Sequence, residues 1–399
     1  MKRHVRPHIF FVILAVFLVG LLTGCTEEFN PEIPKSDSLL VVQALITNEL
    51  KNHEIFLSRS TDSIETPEIE RNAIVRVLDS GNGSFVFEET EPGKYVSTVA
   101  FAAVQGQSYS LTIMLANGNS YSSAPVELPQ TSQIERVYAE KTTTDTGTDG
   151  VTIKADSFDS TGNSNFYRYE YEETYKIIAP NWNPFELAVN TPEFETVEVV
   201  NRENEERTCY ASEKSKSIIV TETTSSGENR VSGFEVRFLN RENYIISHRY
   251  SILVKQFVLT SEIHAFYEKL KDFSGLESLF SQSQPGFISG NIFPDGDTNE
   301  KVVGIFDVST VSQKRLFFNY SDFYANEELP QFPDDCGRIE ILNGTPPNIF
   351  DFVTSKSVSY VDDILSESLG LVIGYVVVPR ICGDCTVLGS ATVPEFWEE

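Results

Sequence analysis

From Leu39 onward, apolar positions come in short runs broken by turn residues every ~8–12 positions. Residues 39–42, 44–46, 54–57 and 73–78 predict the first strands. Within 73–78, Ile74, Arg76 and Leu78 share one face and Val75 and Val77 the other, so this strand is covered on most of both faces. Ser80-Gly81-Asn82-Gly83-Ser84 predicts a hairpin turn. Residues 85–87 resume the ladder, Glu91-Pro92-Gly93-Lys94 turns again, and 109–113 alternate cleanly before the Asn117-Gly118-Asn119 turn and Tyr121. About seven such strands predict an immunoglobulin-like β-sandwich over 39–130, closed by Pro125 and Pro129. Tyr109 follows a glycine turn. It fits either a tyrosine corner, with its hydroxyl folded back to nearby backbone, or a plain strand tyrosine.

Beyond residue 130 the β habit continues with longer strands. Residues 141–150 lack a large apolar side chain and predict a loop. Residues 151–153 restart β structure, and 165–178 predict a long strand with Tyr167, Tyr169 and Tyr171 on one face and Arg168, Glu170 and Glu172 on the other. An acidic stretch over 191–207 predicts a projecting hairpin or loop, and 233–240 and 244–259 are further strands. One segment changes period. Ile263, Phe266, Tyr267, Leu270 and Phe273 recur at helical spacing and predict an amphipathic helix near 261–273 packed on the sheet. Thr260 or Ser261 can cap it, Glu262, Lys269 and Lys271 suit its dipole, and Gly275 can stop it. Residues 287–291, 302–308 and 315–319 read as strands, and 371–378 as a central one. The fold class is mainly β: the sandwich, then a larger β-rich domain over 131–399 carrying one helix.

The N-terminus reads as an address. Lys2, Arg3 and Arg6 precede a 14-residue run without charge, Ile9 to Leu22. A spanning helix needs ~20 apolar residues, so this is a signal h-region. It ends in Leu22-Thr23-Gly24-Cys25, the spacing at which a lipoprotein signal peptidase cleaves. Residues 1–24 are then a leader, Cys25 carries the acyl chains, and 25–38 form a polar, proline-containing tether. The bland alternative is a secretory signal with an incidental cysteine. Several acyl chains anchor stably where one binds marginally, so the mature protein is tethered rather than spanning. Glu27 and Glu28 resemble the surface-export signal of Bacteroidetes-type lipoproteins. The resemblance implies display on the cell exterior.

Charge removes whole function classes. Lys plus Arg is 31 against 58 Asp plus Glu, a net of −27, and the leader takes three cations with it, leaving −30. A phosphate backbone is repelled by such a surface, which excludes nucleic acid as a partner, and polybasic docking to anionic lipid is excluded likewise.

Candidate chemistry is sparse. Cys209, Cys336, Cys382 and Cys385 allow two disulfides, with Cys382 and Cys385 bridged over long range to the other two as the favoured pairing. A zinc site from all four thiolates, and redox work at Cys382-Gly383-Asp384-Cys385, are the alternatives. Only His53, His248 and His264 lie beyond the leader, and no zinc-protease, nucleophile-elbow or phosphate-loop motif occurs. His264 sits one position from the apolar stripe of the helix, at its boundary. Asp295-Gly296-Asp297 lacks the order of a calcium loop and reads as a turn. Neither metal nor cofactor is expected. Tyr167, Tyr169, Tyr171 and Trp182 could stack on a ligand. The alternative is that these rings bury against the opposing sheet.

Several short motifs share one order along the chain. They are Leu40-Val41-Val42-Gln43-Ala44, Gly106-Gln107-Ser108-Tyr109-Ser110-Leu111, Tyr121-Ser122-Ser123, Leu279-Phe280, Gly290-Asn291-Ile292, Val303-Gly304-Ile305-Phe306, Lys314-Arg315, the Cys382 to Cys385 motif and Pro394-Glu395-Phe396-Trp397. This order resembles the Bacteroidetes outer-membrane lipoproteins known as domain of unknown function family 4249, over essentially the whole mature chain. What the resemblance implies is a partner, a TonB-dependent β-barrel transporter, and no catalytic residues. The expected function is an accessory binding component of nutrient uptake without catalysis. A surface adhesin without a transporter and a surface hydrolase are the alternatives.

Overall fold

Residues 302–319 form one strand, not the two that the apolar runs predict. The computed structural model describes residues 39–60, 68–224, 228–274, 288–296 and 300–399. In it Val302–Asn319 runs unbroken for 18 residues. The polar interval that suggested a break is satisfied by the chain crossing beneath it. The Ser312 hydroxyl accepts from the Ile134 amide at 3.0 Å, and the Thr310 hydroxyl donates to the Gln130 carbonyl at 3.2 Å.

This strand joins the two halves of the molecule. Its first half pairs in parallel with Leu40–Thr47, from Leu40 opposite Val302 to Thr47 opposite Ser309. Its second half pairs antiparallel with Arg249–Leu259, from Val258 opposite Thr310 to Arg249 opposite Asn319. Parallel pairing demands cover on both faces, and nearly every residue from Val302 to Thr310 is buried. On one side the sheet continues through Phe166–Ile178 to Thr208–Lys214. On the other it continues through Glu54–Arg59, Lys94–Ser97, Ser84–Glu91, Ile74–Asp79, Ser108–Met114 and Ser120–Ser123 to Ile292–Pro294. Three smaller sheets complete a mainly β fold: Ile134–Thr143 with Asp149–Phe158 and Arg230–Asn240, the hairpin Phe185–Thr191 and Thr196–Asn201, and Val372–Pro379 between Ile339–Leu342 and Val358–Leu365.

The sandwich is not closed at residue 130. Its core joins Val42, Ile55, Val75 and Leu111 to Ile292, Phe306, Val308 and the helix residues Ile263 and Phe266. The edge strand Ser120–Ser123 needs a partner, and Ile292–Pro294 supplies it. Asn291 fixes that return. Its side chain accepts from the Phe306 amide at 2.8 Å and donates to the Phe306 carbonyl at 2.9 Å.

Other expectations shift locally. Half of residues 141–150 is strand, because threonine suits a pleated surface, and the predicted loop is confined to 144–148. Ile134–Thr143 and Asp149–Phe158 leave only a short turn, closed by Thr144 and Thr148. The helix spans Ser261–Ser274, with the Thr260 hydroxyl accepting from the Ile263 amide at 3.4 Å. His264 is buried rather than at the boundary, its ring 5.0 Å from that of Phe166. Gly275, Leu279, Phe280 and Asp297 lie outside the described residues, as do the leader and tether with Cys25.

Tyr109 makes the corner. Its hydroxyl accepts from the Val104 amide at 2.8 Å and donates to the Gln107 side chain at 3.2 Å. Tyr109→Phe removes the acceptor of the Val104 amide, a part-buried hydrogen bond. Expected is a loss of about 1–2 kcal/mol in urea unfolding, with an unchanged m-value. A loss below a few tenths of a kcal/mol contradicts a structural role for the hydroxyl.

Candidate functional site

Strand order places a groove across the joint of the two halves. Phe166–Ile178, Arg249–Leu259, Val302–Asn319, Leu40–Thr47 and Glu54–Arg59 lie side by side. On the outward face of the last three, Ile305, Gln43 and Phe56 stand in register. The helix Ser261–Ser274 rises beside them, and Phe266, Tyr267 and Leu270 make one wall. The space between has a volume of about 670 Å³. Its floor carries Val41, Leu45, Val303 and Ile305 with the exposed Gln43 among them, and Phe56 remains 42% exposed at the far end.

At the near end sits a buried cation. Arg168 is 6% exposed, and its guanidinium lies between the rings of Phe257 at 4.3 Å and Tyr267 at 4.8 Å. It pairs with Glu170 and, at 3.7 Å, with Asp307. The Tyr267 hydroxyl donates to Asp307 at 3.2 Å, and the Ser309 hydroxyl donates to its other oxygen. Burial pushes the Asp307 carboxyl up despite Arg168 and those two hydroxyls. For Arg168 burial works against the charge, but Tyr267, Glu170 and Asp307 outweigh it and hold the guanidinium protonated. One guanidinium atom is left over: Arg168 Nε is buried without a partner. Lys214 stands exposed on the same rim, and no carboxylate among the described residues lies within ion-pair distance of it. By contrast Lys51 is held by Glu49 and Lys94 by Glu54 at 3.0 Å.

His53 borders the groove, but its ring turns into the core. Its Nε2–H donates to the Phe101 carbonyl at 2.9 Å, with the rings 4.6 Å apart. Burial, then the Lys51 charge, push it down to about 4. The folded state therefore favours neutral His53. That contribution is complete above the ordinary pKa near 6.5 and is lost as pH falls from there towards 4. Wild type is expected to lose about 3 kcal/mol from this group over that range, and His53→Gln to lack that component. Urea midpoints at pH 7 and pH 4 measure the difference. Equal acid sensitivity in both proteins contradicts it.

The tyrosine face does not meet ligand. Tyr167, Tyr169 and Tyr171 are 0%, 1% and 8% exposed. The sheet of Ile134–Thr143, Asp149–Phe158 and Arg230–Asn240 covers them, with Phe234 stacked on Tyr169 at 5.0 Å, while the Tyr169 hydroxyl donates to Gln256 on the adjacent strand at 2.8 Å. Of the alternatives raised by the sequence, burial against an opposing sheet is the one observed, and the contact assignment is corrected. Trp182 is half-buried and packs on the same core. Cys209 is bonded to Cys385 and Cys336 to Cys382. All four sulfurs are thereby paired, which leaves no thiolate for zinc or for thiol exchange. The acidic stretch is a hairpin, and with Val353 to Tyr360 it encloses a second cleft of about 490 Å³. There Arg202 is matched by Glu206, and Arg380 by Asp384 at 2.8 Å, so its guanidinium charges are neutralised internally.

Local pattern missed the groove because its walls come from residues between 41 and 305 on separate strands and the helix. The one available signal was a lone arginine at an alternate position of an otherwise tyrosine-rich strand.

A search of curated proteins finds no match. Among solved structures, a DUF4785 family protein from Legionella pneumophila subsp. pneumophila str. Philadelphia 1 is 8% identical, with a TM-score of 0.18, a likeness too slight to carry an argument. The alignment covers 55% of this chain, which spans about half (52%) of that one. The family model described as domain of unknown function DUF4249 matches residues 26–315, leaving the disulfide-bonded C-terminal part outside the match, and the chain belongs to that family.

Proposed function

We propose that this protein is a lipid-anchored outer-membrane protein facing the cell exterior, and that it serves as an accessory binding component of a TonB-dependent uptake system without catalysis of its own. The observation that carries the reading is Leu22-Thr23-Gly24-Cys25 directly after an apolar run too short to span. Acylation at Cys25 confines the molecule to two dimensions and raises its effective concentration near a channel in the same membrane. A groove of about 670 Å³ with Val41, Leu45, Val303 and Ile305 on its floor supports capture of a small molecule.

Two measurements test it. Cys25→Ser is expected to release the protein from the membrane fraction, and full retention overturns the anchor. Co-purification of the acylated protein from solubilised membranes is expected to recover a β-barrel transporter. Its absence across several detergents overturns the partnership.

A further inference from the structure

We infer that the outward face of the sheet around Ile74–Asp79 and Ser84–Glu91 is an interface with a second copy of this chain, related by a two-fold axis. The inference stands apart from the uptake reading and needs neither a transporter nor a ligand.

Three observations carry it. The first is an uncovered apolar face. The pattern of residues 73–78 predicts a strand covered on most of both sides, and within one chain only Val75 and Val77 are buried. The neighbouring strands continue the bare side. Ile74 stands opposite Met114, Val86 opposite Arg76, and Phe293 opposite Ser122 on the edge strand. Ile74, Leu78, Val86, Met114 and Phe293 are each 37–55% exposed, with Ser110, Thr112 and Ser122 between them. Apolar side chains gathered on one face and bordered by small polar ones mark a contact surface, unlike single residues scattered over a surface.

The second is charge. A net of −27 drives copies of this chain apart over most of their surface. This face is the exception. Between its turns it carries one cation, Arg76, and one anion, Glu88, and neither is in an ion pair among the described residues. Arg76 stands opposite Val86, and Glu88 lies two residues further along on the same side. A two-fold axis passing between them sets Arg76 of each copy against Glu88 of the other, with Ile74 and Val86 at the centre. An unrelated protein would have to supply an acid and a base at matching positions. A second copy has both by symmetry.

The third is size. Five strands at about 4.8 Å and five residues at about 3.3 Å give a face of roughly 24 by 17 Å, on the order of 400 Å² in projection. Upright side chains raise the accessible area above the projection. Two copies then cover on the order of 1,200 Å², the lower end for a specific interface, so the dimer is a weak one in dilute solution.

The experiment is sedimentation equilibrium of the mature chain, its leader removed and Cys25→Ser in place so that no acyl group drives association. Over roughly 5–300 µM, monomer is expected to pass to dimer with a dissociation constant on the order of tens of µM. Ile74→Glu, Arg76→Glu and Glu88→Arg are each expected to weaken the dimer at least about tenfold, because each sets like charges together or puts a charge at the centre. Arg76→Glu combined with Glu88→Arg is expected to return within about threefold of wild type. All three positions are exposed, and unchanged urea midpoints confirm that the variants fold. Phe56→Glu at the groove and Leu369→Glu near the last hairpin alter exposed apolar residues elsewhere and are expected to leave the dimer intact. Monomer at every concentration, a dimer that survives Ile74→Glu, or a charge exchange that restores nothing each overturns the assignment. Dispersal by Phe56→Glu or Leu369→Glu also overturns it, by moving the interface to another apolar site. A transporter recovered with a monomeric chain sinks this inference alone, and a dimer with no transporter sinks the uptake reading alone.

Discussion

Gly304→Ala is expected to destabilise the protein by roughly 3–5 kcal/mol, among the largest single-residue effects in the molecule. Gly304 has φ near +131°, a region closed to L side chains, and lies where the two halves of the sheet meet. A Cβ there would stand 1.9 Å from the Val42 carbonyl oxygen and 2.9 Å from the Val42 nitrogen. Those atoms belong to the neighbouring strand of the core, so neither can move aside. Gly290 presses from the other direction, its own Cβ position only 1.7 Å from the Gly304 carbonyl oxygen. Gly106 is the control. It also has positive φ, at +79°, but nothing lies within 4 Å of its Cβ position. Gly106→Ala is therefore expected to cost only about 1 kcal/mol, the conformational share alone. Urea unfolding of the two variants separates clash from backbone preference. Similar losses at both sites would mean the sheet joint yields, contrary to the packing of Gly290, Gly304 and Val42.

Gly304 also shows why part of the fold escaped the sequence. Ser108–Met114 was legible because it carries its own alternation between turns of glycine and asparagine, whereas Ile74–Asp79 was legible as a strand but not in its cover: its apolar run predicts burial on most of both faces, and only Val75 and Val77 are buried, with Ile74, Arg76 and Leu78 exposed. The helix was legible because Ile263 and Phe266 repeat at helical spacing. The parallel pairing of Leu40–Thr47 with Val302–Asn319 is written in neither strand. It depends on contacts far apart in the chain, and the glycine that admits them looks like any other. The return of Ile292–Pro294 to the sandwich edge escaped for the same reason. At the site, alternating tyrosines read the same whether a second sheet covers them or water does. Only the sheet built from residues 134–240 decides, and it buries them. Arg168, on the opposite face, gained its interest when the helix closed over it and stacked Tyr267 on its guanidinium.

Removal of the Cys209–Cys385 bond is expected to be the other large effect. It closes a separation of 176 residues, and in the chain-entropy account restricting so long a loop contributes about 5 kcal/mol. It is also the bond that joins the C-terminal part, outside the family match, to the matched region; Cys336 and Cys382 both lie beyond residue 315. The segment after Cys385 depends on that attachment. Ser390 and Tyr210 exchange backbone hydrogen bonds at 2.8 and 2.9 Å, and Phe396 lies 3.6 Å under the Arg315 guanidinium. Trp397 meets Tyr210 edge-on at 4.8 Å, while Lys176 pairs with Glu399 at 3.0 Å. Each contact is modest, and together they need the bond to bring the segment within reach. The double variant Cys209→Ala, Cys385→Ala should therefore lose about 4–5 kcal/mol and expose the segment after Cys385 to protease before the sheet unfolds. Cys336→Ala with Cys382→Ala opens a separation of only 46 residues, and its loss should be smaller by about 1 kcal/mol. Equilibrium unfolding of the two double variants, with limited proteolysis of each, measures both statements. A larger loss from the shorter loop would show that local packing around Cys382, rather than restriction of the unfolded chain, is what these bonds contribute.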